Sequence, residues 1–482
     1  MSAEEKALKV EKIPAGLQNL GNTCYMNATL QCFRHMPELR SALTASVSTP
    51  IRSFSVPEVQ MLRAQHSMPT AQSLDQAPRV LSACLGHTCN LLDGSGAPIV
   101  PHAFVSLLRT FNPTFDEVNQ QGHHKQQDAE EFYTYLAMSL RSALPPSLGA
   151  QGFDALLGVT LEETMTCQET DLEPAVVSRD QTFKLICNIS GGTAGTKVDH
   201  IHDGLKLALE GPVEKNSAVL GRNATWTKRA RLASLPRYLC FQFMRFFWNQ
   251  TPGSADPAGV KAKIMRAVQY PDVMDVYDYC TPALQEVLRA NRLADDRRID
   301  EELKAKRAKL SAELMGTGEA AAGGGAAAGE EPSKPAASGA AAAAAAAAME
   351  VEGDELDEET RAAIAFSLSG ELPPPPPTSA SAPASASSSS SSPVSAFGPG
   401  APADFLGYYE LAAVVTHKGR SADSGHYIGW ARKEEGSDQW FQFNDDKVSE
   451  CSTADVLRLS GGGDHDTAYL NFYRQRLAKR RG

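Results

Sequence analysis

Three short stretches hold residue types that acyl-transfer chemistry uses. In "GNTCYMNATLQCF", Gly21 to Phe33, Cys24 opens what reads as a helix. A cysteine there is either a small apolar filler, the fate of most buried thiols, or a nucleophile whose thiolate the helix N-terminus favours. A thiol nucleophile needs a base, and the base needs an orienting group. "SADSGHYIGW" offers His426 at a loop-to-strand junction, and "FQFNDDKV" offers Asn444 and Asp445 at a strand end. In a papain-type arrangement His426 takes the thiol proton and later protonates the leaving amine, while Asn444 holds the imidazole through its ring N–H. The distance along the chain is no obstacle, since such sites assemble in space. Asn19 and Asn22, with the Cys24 backbone N–H, are candidate donors to an oxyanion, and Gly21 lets the backbone turn tightly before them. Taken singly, each piece is more often an ordinary structural feature, and only the combination points to chemistry.

These residues need a scaffold. "DAEEFYTYLAMSLRSAL", from Asp128, has the spacing of an amphipathic helix. "RYLCFQFMRFFW", Arg237 to Trp248, reads as one buried strand, and "ALQEVLRANRLADDRRIDEELKAKRAKL" as a charged helix. "YELAAVV", "HYIGWAR", "WFQFND" and "TAYLNFYR" read as four strands near the C-terminus. So few strands make no stable sheet alone, so they are expected to rejoin the earlier part. The expected organisation is a flexible start over 1–13, a first catalytic part over 14–312, a disordered Ala/Gly/Ser/Pro-rich insertion over 313–404, a second catalytic part over 405–474 and a basic tail over 475–482. The insertion, with "PPPPP" at its centre, has too little apolar surface to offset its conformational entropy.

The 482 residues carry a net charge of −11, which argues against a general nucleic-acid binder. The N-terminal "MSAEEKALKV" has no apolar h-region, and no run of about 18 apolar residues occurs, so neither a secretory signal nor a membrane span is expected. Nine scattered cysteines are then expected to be reduced thiols, in a cytoplasmic or nuclear protein. No pair of Cys-x-x-Cys motifs is present, so no structural zinc is expected, nor any other cofactor.

Together with "KQQDAEEF" (Lys125 to Phe132), these stretches resemble the ubiquitin-specific protease family. "GLQNLGNTCYMNATLQC" is similar to that family's cysteine box, "KQQDAEEF" to its Gln-Gln-Asp box, and "SGHYIGW" with "WFQFNDDKVS" to its histidine box. "LPRYLCFQFMRFFW", "YDYCTPALQE" and "VLRLSGGGD" resemble its proteasome-associated branch. The resemblance implies an α+β, papain-like fold with thumb, palm and β-sheet fingers. It implies hydrolysis of the bond after ubiquitin's C-terminal glycine, with ubiquitin, ubiquitinated proteins and the 26S proteasome as partners. Cys24 matches the nucleophile, His426 the base, Asn19 the oxyanion side chain and Asn444 the third catalytic position, with Asp445 able to share that role. Gln127, Asp128 and Tyr427 match residues along the groove for ubiquitin's tail. Phe246 joins these candidate contacts, and the stretches Phe247 to Lys261 and Gly419 to Ser424 match surface loops that cover the groove until the proteasome engages. The branch's N-terminal ubiquitin-like domain is not expected within the residues ahead of the cysteine box, so either the chain is truncated or docking runs differently. Within the insertion, "GDELDEETRAAIAFSLSGE" resembles a ubiquitin-interacting helix over 354–371, with Ala363 and Ser367 four apart on one face. Such a helix would favour ubiquitin chains by raising effective concentration. The competing expectation is a ubiquitin-binding scaffold or proteasome regulator with little turnover.

Overall fold

The computed structural model describes residues 13–46, 71–94, 96–144, 152–189, 197–249, 260–316, 404–421 and 424–478. Residues 317–403 of the expected insertion, with Ala363 and Ser367, lie outside them, as do residues 479–482 of the basic tail, while 313–316 continue a helix past the expected boundary at 312.

Helices α1 (Cys24–Arg34), α2 (Pro37–Ser46), α3 (Ala71–Gly94), α4 (His102–Phe111) and α5 (Ala129–Ala143) come first, followed by the short α6 (Phe153–Leu157). A four-stranded sheet of order β2-β1-β5-β4 uses β1 (Val159–Cys167), β2 (Val176–Thr182), β4 (Glu210–Ser217) and β5 (Arg222–Ser234). A larger sheet runs β13-β12-β11-β10-β14-β6-β3, with β9 also paired to β10. Its strands are β3 (Leu185–Cys187), β6 (Tyr238–Phe243), β9 (Val273–Asp275), β10 (Phe405–Lys418), β11 (His426–Arg432), β12 (Gln439–Asn444), β13 (Lys447–Ser452) and β14 (Thr467–Leu477). Strands β7 (Phe246–Asn249) and β8 (Val260–Lys263) form a hairpin of their own. Helices α7 (Ile201–Leu209), α8 (Pro282–Gly316) and α9 (Thr453–Leu457) complete the order. None of the described helices is long and apolar enough to cross a membrane.

The large sheet joins both halves of the sequence, because β14 pairs with β10 on one side and β6 on the other. Period-2 alternation explains its place in the core. Val415, Tyr427, Ala431, Phe441, Phe443, Phe472 and Cys240 face a core shared with α1 to α5. Their neighbours Val414, Ile428, Trp430, Trp440, Tyr473 and Leu239 face a second core shared with α7, α8 and α9. Strands buried on both faces therefore carry almost continuous apolar runs.

Two expectations need correction. "RYLCFQFMRFFW" is two strands, because Met244 and Arg245 break it and β7 leaves the sheet for the hairpin with β8. The C-terminal part holds a further strand, β13, whose "KVSECS" is largely exposed at the sheet edge and lacks the apolar alternation that marks a strand in sequence.

Candidate active site

All eleven residues of α1 are buried although the helix contains Asn27, Thr29 and Gln31. Each polar side chain has an acceptor close by, which makes the burial tolerable. Thr29 Oγ1 donates to the Tyr25 carbonyl, Gln31 Nε2 to the Ala15 carbonyl, and Asn27 Nδ2 to the Asp445 carboxylate at 2.8 Å. The turn ahead of Cys24 is built around one side chain. Asn19 Oδ1 accepts from the backbone N–H groups of Gly21 (3.0 Å) and Thr23 (3.1 Å), while Asn22 sits in the left-handed region at φ 56°.

The second stretch is held against this helix by a missing side chain. A Cβ on Gly429 of β11 would stand 2.7 Å from the Ala28 carbonyl oxygen of α1. Only glycine lets the strand and helix approach so closely. This contact brings the segment after His426 to Cys24, where the Tyr427 backbone N–H favours the charged form of the thiol. At the end of β12, Asn444 Oδ1 lies 2.7 Å from His426 Nε2. Asp445 follows at φ 53°, and its carboxylate is 3.9 Å from the same nitrogen. Asp445 instead accepts from Asn19 Nδ2 (3.0 Å) and Asn27 Nδ2, and its carbonyl accepts from the Leu17 N–H. The four residues Cys24, His426, Asn444 and Asn19 thus meet in one place, with Asp445 as the tie between them.

Burial sets the state of the thiol. Cys24 is 2 % exposed, and desolvation pushes its pKa up to about 11; the Tyr427 N–H opposes this and the Asp445 charge adds to it. The favourable helix N-terminus suggested by sequence is therefore outweighed, and the resting group is a protonated thiol.

Of the remaining candidates, Asp128 caps α5 by accepting from the Glu130 N–H at 2.8 Å and takes the Tyr469 hydroxyl at 2.7 Å. Tyr427 is wholly buried, its ring 4.7 Å from His417 and 6.3 Å from Tyr469. Phe246 packs edge-on to His417 and Tyr469. Asp128, Tyr427 and Phe246 thus share one packed cluster rather than an open polar surface. Gln127 is half-buried, with its amide nitrogen facing no protein acceptor. Sequence reasoning missed Asn27, His417 and Tyr469. Asn27 had a signal: a polar residue three positions after the candidate nucleophile, on the same helix face.

With this geometry in view, similarity to known proteins takes on meaning. Residues 15–473 match the family model described as ubiquitin carboxyl-terminal hydrolase. The chain belongs to that family. It is 34 % identical to ubiquitin carboxyl-terminal hydrolase 6 of Arabidopsis thaliana over 96 % of its own length and 78 % of the relative's. It is 30 % identical to ubiquitin carboxyl-terminal hydrolase 6 of Schizosaccharomyces pombe, covering 98 % and 80 % of the two chains. Ubiquitin carboxyl-terminal hydrolase 14 of Caenorhabditis elegans is 28 % identical, covering 97 % and 74 %. The α+β, papain-like fold expected from the motifs is that of this family.

Proposed function

We propose that the chain is a cysteine-type deubiquitinase in which Cys24 attacks the carbonyl of ubiquitin's C-terminal glycine. The observation that carries this reading is the 2.7 Å contact between His426 Nε2 and Asn444 beside the buried start of α1. An accepting Asn oxygen fixes the hydrogen on Nε2 and leaves Nδ1 as the base. His426 Nδ1 takes the thiol proton as sulfur attacks, and the proton passes to the leaving amine as the C–N bond breaks. Water then hydrolyses the thioester with His426 again as base. The Cys24 N–H and the Asn19 side-chain amide are the oxyanion donors. Asp445 holds one N–H of that amide, so Asp445 positions Asn19 rather than the imidazole.

The buried thiol supports a resting enzyme that ubiquitin must activate. Two surface segments are joined near the site: Ala262 bridges Ser421, and the Lys263 N–H donates to the Arg420 carbonyl at 3.0 Å. Ala262 and Lys263 directly follow the stretch Phe247 to Lys261, and Arg420 and Ser421 belong to Gly419 to Ser424. We read those two stretches, whose residues 250–259 and 422–423 lie outside the described ones, as the loops over the tail groove, with the proteasome as the partner that moves them. All nine cysteines are free thiols, which supports a cytoplasmic or nuclear setting.

Labelling by ubiquitin with a C-terminal electrophile, with and without proteasomes, tests the reading. Labelling of Cys24 that rises with proteasomes is expected. Cys24→Ala should lose labelling and turnover by a factor on the order of 10³ or more while still binding ubiquitin. Labelling at another cysteine, or none under either condition, would overturn it.

A further inference from the structure

Outside the catalytic centre, positive charge is buried with few carboxylates to answer it. Arg245 is fully buried, and its guanidinium donates to four backbone carbonyls, those of Ala468 (2.7 Å), Ile264 (3.2 Å), Arg266 (2.9 Å) and Ser460 (2.9 Å). Carbonyls satisfy its hydrogen bonds and leave its charge in place. Lys263, 6 % exposed, is the second buried cation; one N–H donates to the His417 carbonyl at 2.5 Å. Burial and then the Arg245 charge lower its pKa to about 8, while Asp466 and Asp464 act the other way.

Lys263 opens onto a cleft of about 480 Å³ that it lines with Arg266, Arg420, Gly462, Gly463 and Asp464. Arg420 and Asp464 pair at 3.1 Å across its exposed side. Arg266 is exposed, and its Nη1 donates to the Ile189 carbonyl at 3.3 Å. Gly462, at φ 93°, leaves part of the wall as bare backbone, while the His465 ring stands against Gly463. Three cations, Lys263, Arg266 and Arg420, therefore line the cleft against one carboxylate, Asp464, while the charges of Arg245 and Asp466 also act on Lys263, in a chain whose net charge is −11. Such a site attracts anions against the field of the rest of the molecule.

The chemistry of the walls narrows the ligand. Guanidinium forks match phosphate oxygens in pairs, and a lysine adds a point charge. Glycine backbone admits oxygens closer than any side chain would. The volume is several times what one oxyanion needs. A carboxylate peptide spreads its charge over separate side chains, whereas this cleft gathers its cations in one compact space. We propose that the cleft is a binding site for a soluble polyphosphate-type anion. Bound there, the anion shares Arg420 with Asp464 and joins the Gly419–Ser421 turn to the Gly461–Asp464 loop. The turn is already tied to β8 by the Lys263 N–H and leads into His426, so occupancy reaches the entrance of the catalytic centre from outside it.

Calorimetric titration of the full chain with tripolyphosphate, at fixed ionic strength, tests this. One saturable site with a Kd below about 100 µM is expected. Arg266→Ala and Arg420→Ala should each weaken it about tenfold, and the double variant more, with unchanged melting temperatures because both side chains are exposed. Absence of a saturable site, equal affinity in the double variant, or equal binding of sulfate would overturn the proposal. Heat of binding is read without turnover, so the result stands apart from the deubiquitinase reading, and the Cys24→Ala variant should bind tripolyphosphate normally.

Discussion

The two main sheets are held together by different forces. The eight-stranded sheet is covered on both faces, and residues such as Val414, Val415, Phe443 and Phe472 are at most 1 % exposed. In the four-stranded sheet, β2 is exposed almost throughout, and apart from Val159 and Leu232, which join the second core, its own buried cluster among the described residues is Cys167, Ala224 and Trp226. Its strands are laced instead by cross-strand ion pairs: Glu162 with Arg179 at 2.8 Å, Glu163 with Lys228 at 2.5 Å and Glu169 with Arg222 at 2.7 Å. The difference teaches where geometry is fixed. Cys24, His426, Asn444 and Asn19 sit on the doubly covered sheet, on the helix packed against it, or on the turn leading into that helix, and Asp445 on the turn between two strands of that sheet. Close packing holds atoms to fractions of an ångström, which exposed ion pairs do not do.

The sharpest way to break the comparison is at the junction of α1 and β11. Gly429→Val puts a side chain against the Ala28 backbone, where nothing flexible can give way. We expect a loss of about 4 kcal/mol in denaturant unfolding, and loss of turnover in whatever folds. Retention of both would mean that this contact does not locate the helix.

Acid tests the same packed region through His417. Burial, then the charges of Lys263 and His426, push its pKa down from 6.5 to about 3. The folded state keeps the ring neutral, whereas the unfolded chain protonates it near pH 6.5. Its contribution is complete above that pH and declines as pH falls toward 3. The expected loss by pH 4 is roughly 3 kcal/mol, seen as a slope in stability against pH that His417→Phe flattens. An unchanged slope in that variant would place the acid sensitivity elsewhere.

At the site itself, Asn444→Ala should lower kcat by about 10²-fold and shift the pH profile of turnover, since it frees the imidazole. Asp445→Ala should cost about tenfold, because its carboxylate holds Asn19 and Asn27. If Asp445→Ala costs more than Asn444→Ala, the orienting role belongs to Asp445.

Much of this was legible in advance because the site is written in contiguous motifs. Cys24, His426 and Asn444 are singled out as candidates by their motifs taken together, none of them by residue type alone, and α5 by its spacing from Asp128. Two kinds of feature were hidden. Contacts made across the fold, such as Tyr469 to Asp128 or Gly429 to Ala28, leave no local pattern, since either partner alone is unremarkable in its own segment. The state of a group was hidden as well: a helix start suggests an activated thiol, and only the packed surroundings show that desolvation overrides it. The break of "RYLCFQFMRFFW" belongs to the first kind. Arg245 leaves the strand pattern because four carbonyls from elsewhere in the chain, one of them on β14, receive it.

The smallest expected effect lies in the four-stranded sheet and decides whether its ion pairs matter. Arg179 is 69 % exposed and its partner Glu162 27 %, so water and salt screen the pair and ordering a long side chain offsets its attraction. Arg179→Ala should change unfolding stability by less than about 0.5 kcal/mol, and added salt should erase the difference. Trp226 offers the contrast within the same sheet. It is 1 % exposed, its indole N–H donates to the Lys215 carbonyl at 3.2 Å, and the Lys215 ammonium sits 5.0 Å from the ring centre. Removing that ring takes away buried area that salt cannot replace, at about 3 kcal/mol. A loss above about 1 kcal/mol for Arg179→Ala, persisting in salt, would instead mean that the pairs act as a network, and that this sheet is fixed by charge as firmly as the other is by packing.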